Sequence, residues 1–206
     1  MRFFINKIRS FFTQLRYPNI SSSTRIGRNV TVRNSRNLVM GENTNIDQDA
    51  FIMNSRAKLI MKKNSGAAIG LLAITGNHMS VVGMNLKQVT NEVKDEKDIN
   101  HEMDKDILID EDVWIAARVT LLSGAHLGRG CEVGSGSVVR GNIPPYAVVI
   151  GNPCKVVGFR FTPDEILEHE KLQYEEKERL PIELLQKNYD KYFINRIKEI
   201  KQFSKL

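Results

Sequence analysis

Histidine is the side chain best suited to moving a proton near neutral pH, and this sequence has four: His78, His101, His126 and His169. Their neighbourhoods differ. His169 falls in a charged, helix-forming tail, His126 directly precedes a core-type leucine and so faces outward, and His101 sits in a polar insertion. His78 stands where an ordered, repetitive stretch gives way to that insertion, a place from which a rigid element can aim a base. Spacing alone leaves it open whether His78 is a base or an exposed structural residue. Zinc held by three histidines would need them on neighbouring faces of a repeat, and His78, His101 and His126 lack that spacing, so no metal is expected. The single tryptophan, Trp114, comes one place before a core-type isoleucine and therefore faces outward, where an indole calls for a partner. Cys131 and Cys154 are too few for a disulfide scaffold, and Cys131 occupies a small-residue slot, which reads as a buried thiol in a reducing compartment.

The elements that must position these groups have a period of six. Ile109, Ile115, Leu121, Leu127, Val133 and Val139 recur at six-residue intervals, and Val113, Val119, Ala125, Cys131 and Ser137 stand two places before the last five. Neither a helix nor an ordinary strand produces that stripe. A fixed six-residue repeat means that each unit buries its face against its neighbours, and three hexapeptides close one triangular coil of short parallel strands. The frame extends backward through Ile26 and Val32, then Met40, Ile46 and Ile52, then Met61, Ala67 and Ala73, with slips that coil corners absorb as surface loops. The repeat stops between His78 and Ile107. That polar stretch, with an acidic and lysine-rich run from Glu92 to Asp106, is long enough for a functional loop, although an insertion without a role is the competing reading.

Three passages then resemble a known family: ITGNHM ending in Met79, DEDVWIAARVTLLSGA from Asp110, and GSGSVVRGNIPPYAVVIGNPCKVV from Gly134. Over residues 20–158 the chain resembles the hexapeptide-repeat acyltransferases, most closely the galactoside, maltose and xenobiotic O-acetyltransferases. The resemblance implies a mainly β fold, a left-handed parallel β-helix with an N-terminal helix, a long loop excursion and a C-terminal helical extension. It implies acetyl-CoA as acetyl donor and a sugar hydroxyl as acceptor, as in capsule or lipopolysaccharide modification. N-acetylation of an amino sugar and O-acetylation of a xenobiotic or antibiotic are the alternatives within the family. His78 matches the family's catalytic histidine, with Asn77 beside it on the acceptor side. Trp114 is expected beside the cleft, against cofactor or acceptor. The backbone N–H groups of Ala116 and Ala117 match the thioester and pantetheine contacts. Ser135 matches a small pantetheine-lining residue, Arg140 and Lys155 lie near the phosphate end, and Pro153 lies near the adenine. Gly141 departs from the pattern, standing where lysine is common, so Arg140 or Arg160 is expected to take over that contact. Asp49, near an acceptor-binding asparagine of relatives, is expected either to bind a hydroxyl or orient His78, or to be a solvent-facing corner. Family members form homotrimers with sites between subunits. The same implied loop over 79–106 walls the cleft.

Composition bounds the rest. The chain has 206 residues, 41% hydrophobic and 26% charged, with a formal net charge of +6, which describes one ordinary domain with short appendages. A mild positive bias suits a polyanionic cofactor or acidic polysaccharide, and no basic run or recognition motif supports nucleic acid. Residues 1–18 form an amphipathic segment, with Phe4, Ile5, Ile8, Phe11, Phe12 and Leu15 on one helical face, too short and charged to span a bilayer. It either caps the exposed first coil or lies in a membrane interface, and capping is favoured because solenoid ends require it. A cytoplasmic location is expected, with peripheral contact at the inner face of the membrane as the alternative. Residues 159–206 are expected to be helical. Thr162 and Pro163 start a helix running to about Arg179, and Pro181 opens a second with a stripe from Leu184 to Ile200.

Overall fold

The computed structural model describes residues 13–203. Three parallel sheets form the sides of a triangular prism, a left-handed parallel β-helix. The first face stacks strands Arg25–Ile26, Asn45–Ile46, Gly66–Ala67, Trp114–Ile115, Glu132–Val133 and Ala147–Gly151, and the antiparallel strand Cys154–Phe159 closes its end. The second stacks Thr31–Val32, Phe51–Met53, Leu72–Ile74, Thr120–Leu121 and Val138–Val139; the third stacks Leu38–Met40, Leu59–Met61, Ile107–Ile109, His126–Leu127 and Asn142–Ile143.

Register explains the six-residue stripe. Ile26, Ile46, Ala67, Ile115, Val133 and Val149 stack up the first face, and Val32, Ile52, Ala73, Leu121 and Val139 up the second. Because the pleat alternates, one residue of each two-residue strand points inward and the other outward. The small-slot residues Val113, Val119, Ala125, Cys131 and Ser137 are all buried beneath the corners. Polar members of that column are paired: Thr24 and Thr44 hydroxyls lie 3.1 Å apart, and the Ser65 hydroxyl donates to Asp110 O at 2.6 Å. Buried hydroxyls without such partners would cost about 1–3 kcal/mol each.

Every coil must turn sharply three times, and at two of the three corners the left-handed backbone region supplies the turn throughout. At the corner between the first and second faces Asn29, Asp49, Gly70, Arg118 and Gly136 all have positive φ; between the third and first faces Asn43, Asn64, Asp112, Gly130 and Tyr146 do. Asparagine, aspartate and glycine predominate because they tolerate that region most readily. Coils also approach closely. A Cβ on Gly128 would lie 2.7 Å from Pro145 N and 2.8 Å from Ile143 O, both backbone atoms of the next coil.

The insertion runs from Thr75 to Asp106 and includes helix α1 (Asn91–Lys97), capped by the Thr90 hydroxyl, where the polar composition predicts only a loop. C-terminal to the prism, α2 (Pro163–Gln173) begins with the expected Thr162 cap and Pro163, to which the structure adds a capping box with Glu165, but it ends at Gln173 rather than near Arg179. The second expected helix is divided into α3 (Ile182–Tyr192) and α4 (Ile197–Phe203), breaking at Phe193. Its apolar stripe docks in part: Leu185 is buried, and Tyr189 and Phe193 pack around the Phe159 ring, whereas Ile182 and Leu184 are exposed. What fixes α2 is a buried anion. The Glu170 carboxylate accepts hydrogen bonds from the Tyr146 hydroxyl, from Arg129 Nη1 at 2.9 Å and from Leu180 N at 2.9 Å. Burial pushes the nearby Tyr174 phenol up to about 12, with Arg129 opposing from 3.9 Å over its ring. The amphipathic face predicted for residues 1–16 lies, apart from residues 13–16, outside the described residues; Thr13–Arg16 are helical and Leu15 is exposed. Among the described residues no helix is long and apolar enough to cross a membrane.

Replacing Gly128 by alanine should therefore force two coils apart locally and destabilise the protein by about 1–3 kcal/mol, read as a lowered midpoint in thermal or urea unfolding.

Candidate active site

The residues leading to His78 are held from several sides. Thr75 is buried, and its hydroxyl donates to Met53 O at 3.1 Å and Ala57 O at 3.3 Å. Gly76 bridges Asp104 in antiparallel fashion, leaving no room for a Cβ, which would meet Asp104 Oδ1 at 2.6 Å. Asn77 N donates to Met103 O at 2.8 Å, while Asn77 O accepts from Lys94 Nζ at 2.8 Å. Lys94, almost fully buried, reaches back from α1 and also pairs with Asp104 at 2.8 Å. Arg56 adds ion pairs to Asp95 and Asp104. This network locks both strands of the loop's neck. Beyond it His78 is exposed, and its imidazole makes no hydrogen bond or ion pair to the described residues. A rigid backbone with an uncommitted ring is the arrangement a general base needs before substrate arrives.

The residues matched to a cofactor groove fall mainly on the edge between the first and second faces. Ala117, Ser135 and the hairpin turn carrying Pro153 follow one another along it. Gly136 N donates to Ala117 O at 2.9 Å, and Gly151 N donates to the Ser137 hydroxyl at 3.1 Å, which folds that turn over the last coil. The Cys154 thiol, pushed up by burial, faces the Arg140 backbone, bringing Arg140 into the same neighbourhood. Arg140 itself is exposed.

Four expectations change. Ala116 N–H cannot serve a ligand, because it donates to Val133 O at 2.9 Å in the coil ladder. Ala117 N–H has no partner among the described residues. Asp49 cannot orient the His78 of its own chain: it occupies the corner between the first and second faces, one coil earlier, at φ 60°, with its carboxylate accepting from Asn29 Nδ2 at 3.0 Å. His78 leaves the corner between the second and third faces. Lys155 is not a loose cation, since Glu199 of α4 holds it at 3.0 Å, and with Arg196 drives the Glu199 carboxyl down to about 2. Arg160 is likewise paired, with Asp112 at 2.7 Å and Glu132 at 3.5 Å.

Trp114 is half exposed on the first face, as its position before Ile115 predicted. It borders a cavity of about 370 Å³. That face lies opposite the corner from which His78 emerges, so a single chain does not bring Trp114 and His78 into one cleft. His126 faces outward, as its place before Leu127 predicts, but it has a partner that the sequence does not point to. Its Nε2 lies 2.8 Å from Asp110 Oδ2 on the third face, and Lys62 Nζ approaches Asp110 at 2.7 Å. Burial disfavours the Lys62 charge, but the hydrogen bond and charge of Asp110 outweigh it and raise its pKa. The only trace of this pair in the sequence is their sixteen-residue separation, two short of a coil. His169 packs against Phe161 and Tyr146, 3.6 Å from Asp112, and serves the docking of α2. Among the described residues no three histidine, cysteine or carboxylate side chains converge as a metal would require.

A model described as bacterial transferase hexapeptide (six repeats) matches residues 106–141. Over 37 residues the chain is 51% identical to a Staphylococcus aureus (strain COL) protein whose name assigns it acetyltransferase activity; the match covers 18% of this chain and spans 19% of the relative's length. The fold is similar to that of a maltose O-acetyltransferase from Clostridium difficile 630, with TM-score 0.61 and 22% identity over 75% of each chain. It is also similar to a hexapeptide-repeat acetyltransferase from Vibrio cholerae solved with acetyl coenzyme A, with TM-score 0.55 and 17% identity over 75% of this chain and 79% of that one.

Lys94→Met should unfasten the loop neck, because it leaves Asn77 O without its cation and Asp104 with Arg56 alone. Amide hydrogen exchange across residues 75–106 should accelerate while the prism's protection is unchanged.

Proposed function

We propose that this chain, which carries bacterial transferase hexapeptide repeats on a left-handed β-helix, transfers acetyl groups from acetyl-CoA to a sugar hydroxyl. The observation that carries the reading is His78: its backbone is fixed by the loop neck and its ring has no partner among the described residues. In the proposed reaction the imidazole takes the acceptor hydroxyl proton as the oxygen attacks the thioester carbonyl. The tetrahedral oxyanion collapses, the carbon–sulfur bond breaks, and the coenzyme leaves as a thiol with the proton that His78 returns. The products are an acetyl ester and coenzyme A.

Ala117 N–H is the proposed oxyanion donor, supported by its lack of a ladder partner where Ala116 has one. A donor of this kind contributes on the order of 3 kcal/mol to the transition state. Ser135 and Pro153 along the same edge, and Arg140 where the last coil passes from the second face to the third, are the proposed coenzyme contacts, with Arg140 closest to a phosphate role because Arg160 and Lys155 already hold carboxylates. Asn77 and Trp114 are proposed on the acceptor side. The acetyl-CoA complex of the V. cholerae protein and the maltose acceptor named for the C. difficile protein supply the donor and acceptor classes. A capsular or lipopolysaccharide glycan is the proposed physiological acceptor.

A transferase of this design needs neighbouring chains. His78 and the Ala117 edge belong to different corners of one prism, so a base from one chain serving the edge of another, in a homotrimer, completes the site. Sedimentation should show a trimer at assay concentration; a fully active monomer would overturn that assembly.

His78→Ala should lower acceptor-dependent release of coenzyme A by about 10²–10⁴-fold while the KM for acetyl-CoA stays near wild type. Equal turnover by the two proteins would remove the general-base role.

A further inference from the structure

The cavity beside Trp114 has a composition that separates it from the coenzyme edge. Its floor is Gly66, in register with Asn45 on one side and Trp114 on the other. Asn45 and Trp114 both carry outward side chains, and the Asn45 amide leans over the buried glycine, donating to Ala67 O at 3.5 Å, so the glycine leaves a narrow recess between an amide and an indole. A Cβ at Gly66 would enter that slot, 2.7 Å from Asn45 Oδ1. Trp114 remains 51% exposed, which leaves much of the indole open to the slot.

The rest of the lining is polar. Asn43 Nδ2 donates to Asn64 Oδ1 at 3.0 Å, which orients both amides along the corner and leaves the Asn64 amino group and the Asn43 carbonyl for a ligand. On the far side stand Asp112 and Glu132, with Arg160 bound between them at 2.7 and 3.5 Å. Two carboxylates against one guanidinium leave this lining net negative by one, a poor seat for the phosphates of coenzyme A. An apolar plane facing amides and carboxylates suits a flat ring with C–H groups on its face and hydroxyls on its edge. The volume of about 370 Å³ lies within the range of small-molecule sites.

We propose that this slot on the first face binds a neutral pyranose, and that Trp114 belongs to the sugar and not to the coenzyme. As an acceptor subsite the slot rests on the transferase reading; as a sugar-binding site it does not.

Trp114 is the single tryptophan of the chain, so its emission reports the slot directly. The test titrates the full-length protein with maltose, with lactose and separately with coenzyme A. It is repeated with Gly66→Val, which fills the slot, and Asn45→Ala, which leaves the floor intact and removes one amide. The expected result is an emission change with sugar, undiminished by coenzyme A, with apparent affinity weakened by about tenfold or more in both variants. In turnover the same variants should raise the sugar KM and leave the acetyl-CoA KM unchanged. Emission that ignores both sugars, or that responds to coenzyme A in competition with sugar, overturns the proposal. Coenzyme A release driven by sugar without an emission change sinks the slot and keeps the transferase. An emission change without any release keeps the slot and sinks the transferase.

Discussion

The register between successive coils is the constraint on which everything else depends. Each two-residue strand hydrogen-bonds to the strands above and below, and only one alignment puts Ile115 over Ala67 and under Val133. A slip of one residue would send the aliphatic column to solvent and bring Trp114 and Glu132 inside. Since every coil is held this way by its neighbours, the positions of outward-facing side chains are set to within a fraction of a strand spacing. A long loop can leave such a stack without disturbing it. Ala73 pairs with Leu121 as though the intervening excursion were absent.

That rigidity is what the proposed base requires, since His78 is exposed and has no partner among the described residues. The excursion would have little order of its own, being largely polar, with Val82, Leu86 and Ile99 exposed. Its order comes from the neck, where Lys94 is buried against Asn77 O and Asp104. A buried cation is tolerated only with such partners, and here the partners are the residues next to His78. The same logic holds at the other end of the molecule, where buried Glu170 is surrounded by Tyr146, Arg129 and Leu180 N and ties α2 to the prism.

Charge is distributed with equal economy along the outer surface. Cations that appear in sequence as candidates for phosphate, Lys155 and Arg160, are committed to carboxylates brought near by the C-terminal segment and by stacking of coils. Arg140 is exposed at the end of the last coil. The first face is thus acidic and amide-rich around Trp114, and the adjoining edge is small and backbone-lined at Ala117 and Ser135. One tryptophan separates two chemically different surfaces.

Much of this was legible in the residues alone. The six-residue stripe of aliphatics and the small slots two places earlier determine the coils, because each coil repeats the same burial problem and solves it with the same residue types. The outward aim of Trp114, the position of His78 at a coil exit and the helix start at Thr162 and Pro163 followed from that frame and from local backbone preference. What the sequence left undetermined depended on contacts between coils and on distant segments. Whether Ala116 or Ala117 keeps its N–H is decided by the carbonyl of Val133 on the next coil. Asp49 is drawn to Asn29 and away from His78 because corners are stacked columns, and columns of different corners do not meet. Lys155 is claimed by Glu199, forty-four residues away, and Gly66 becomes the floor of a slot only when Asn45 and Trp114 stack on either side of it. Periodicity is a local property and survives in one dimension; pairing of charges, donors and voids across a prism exists only once the coils are stacked.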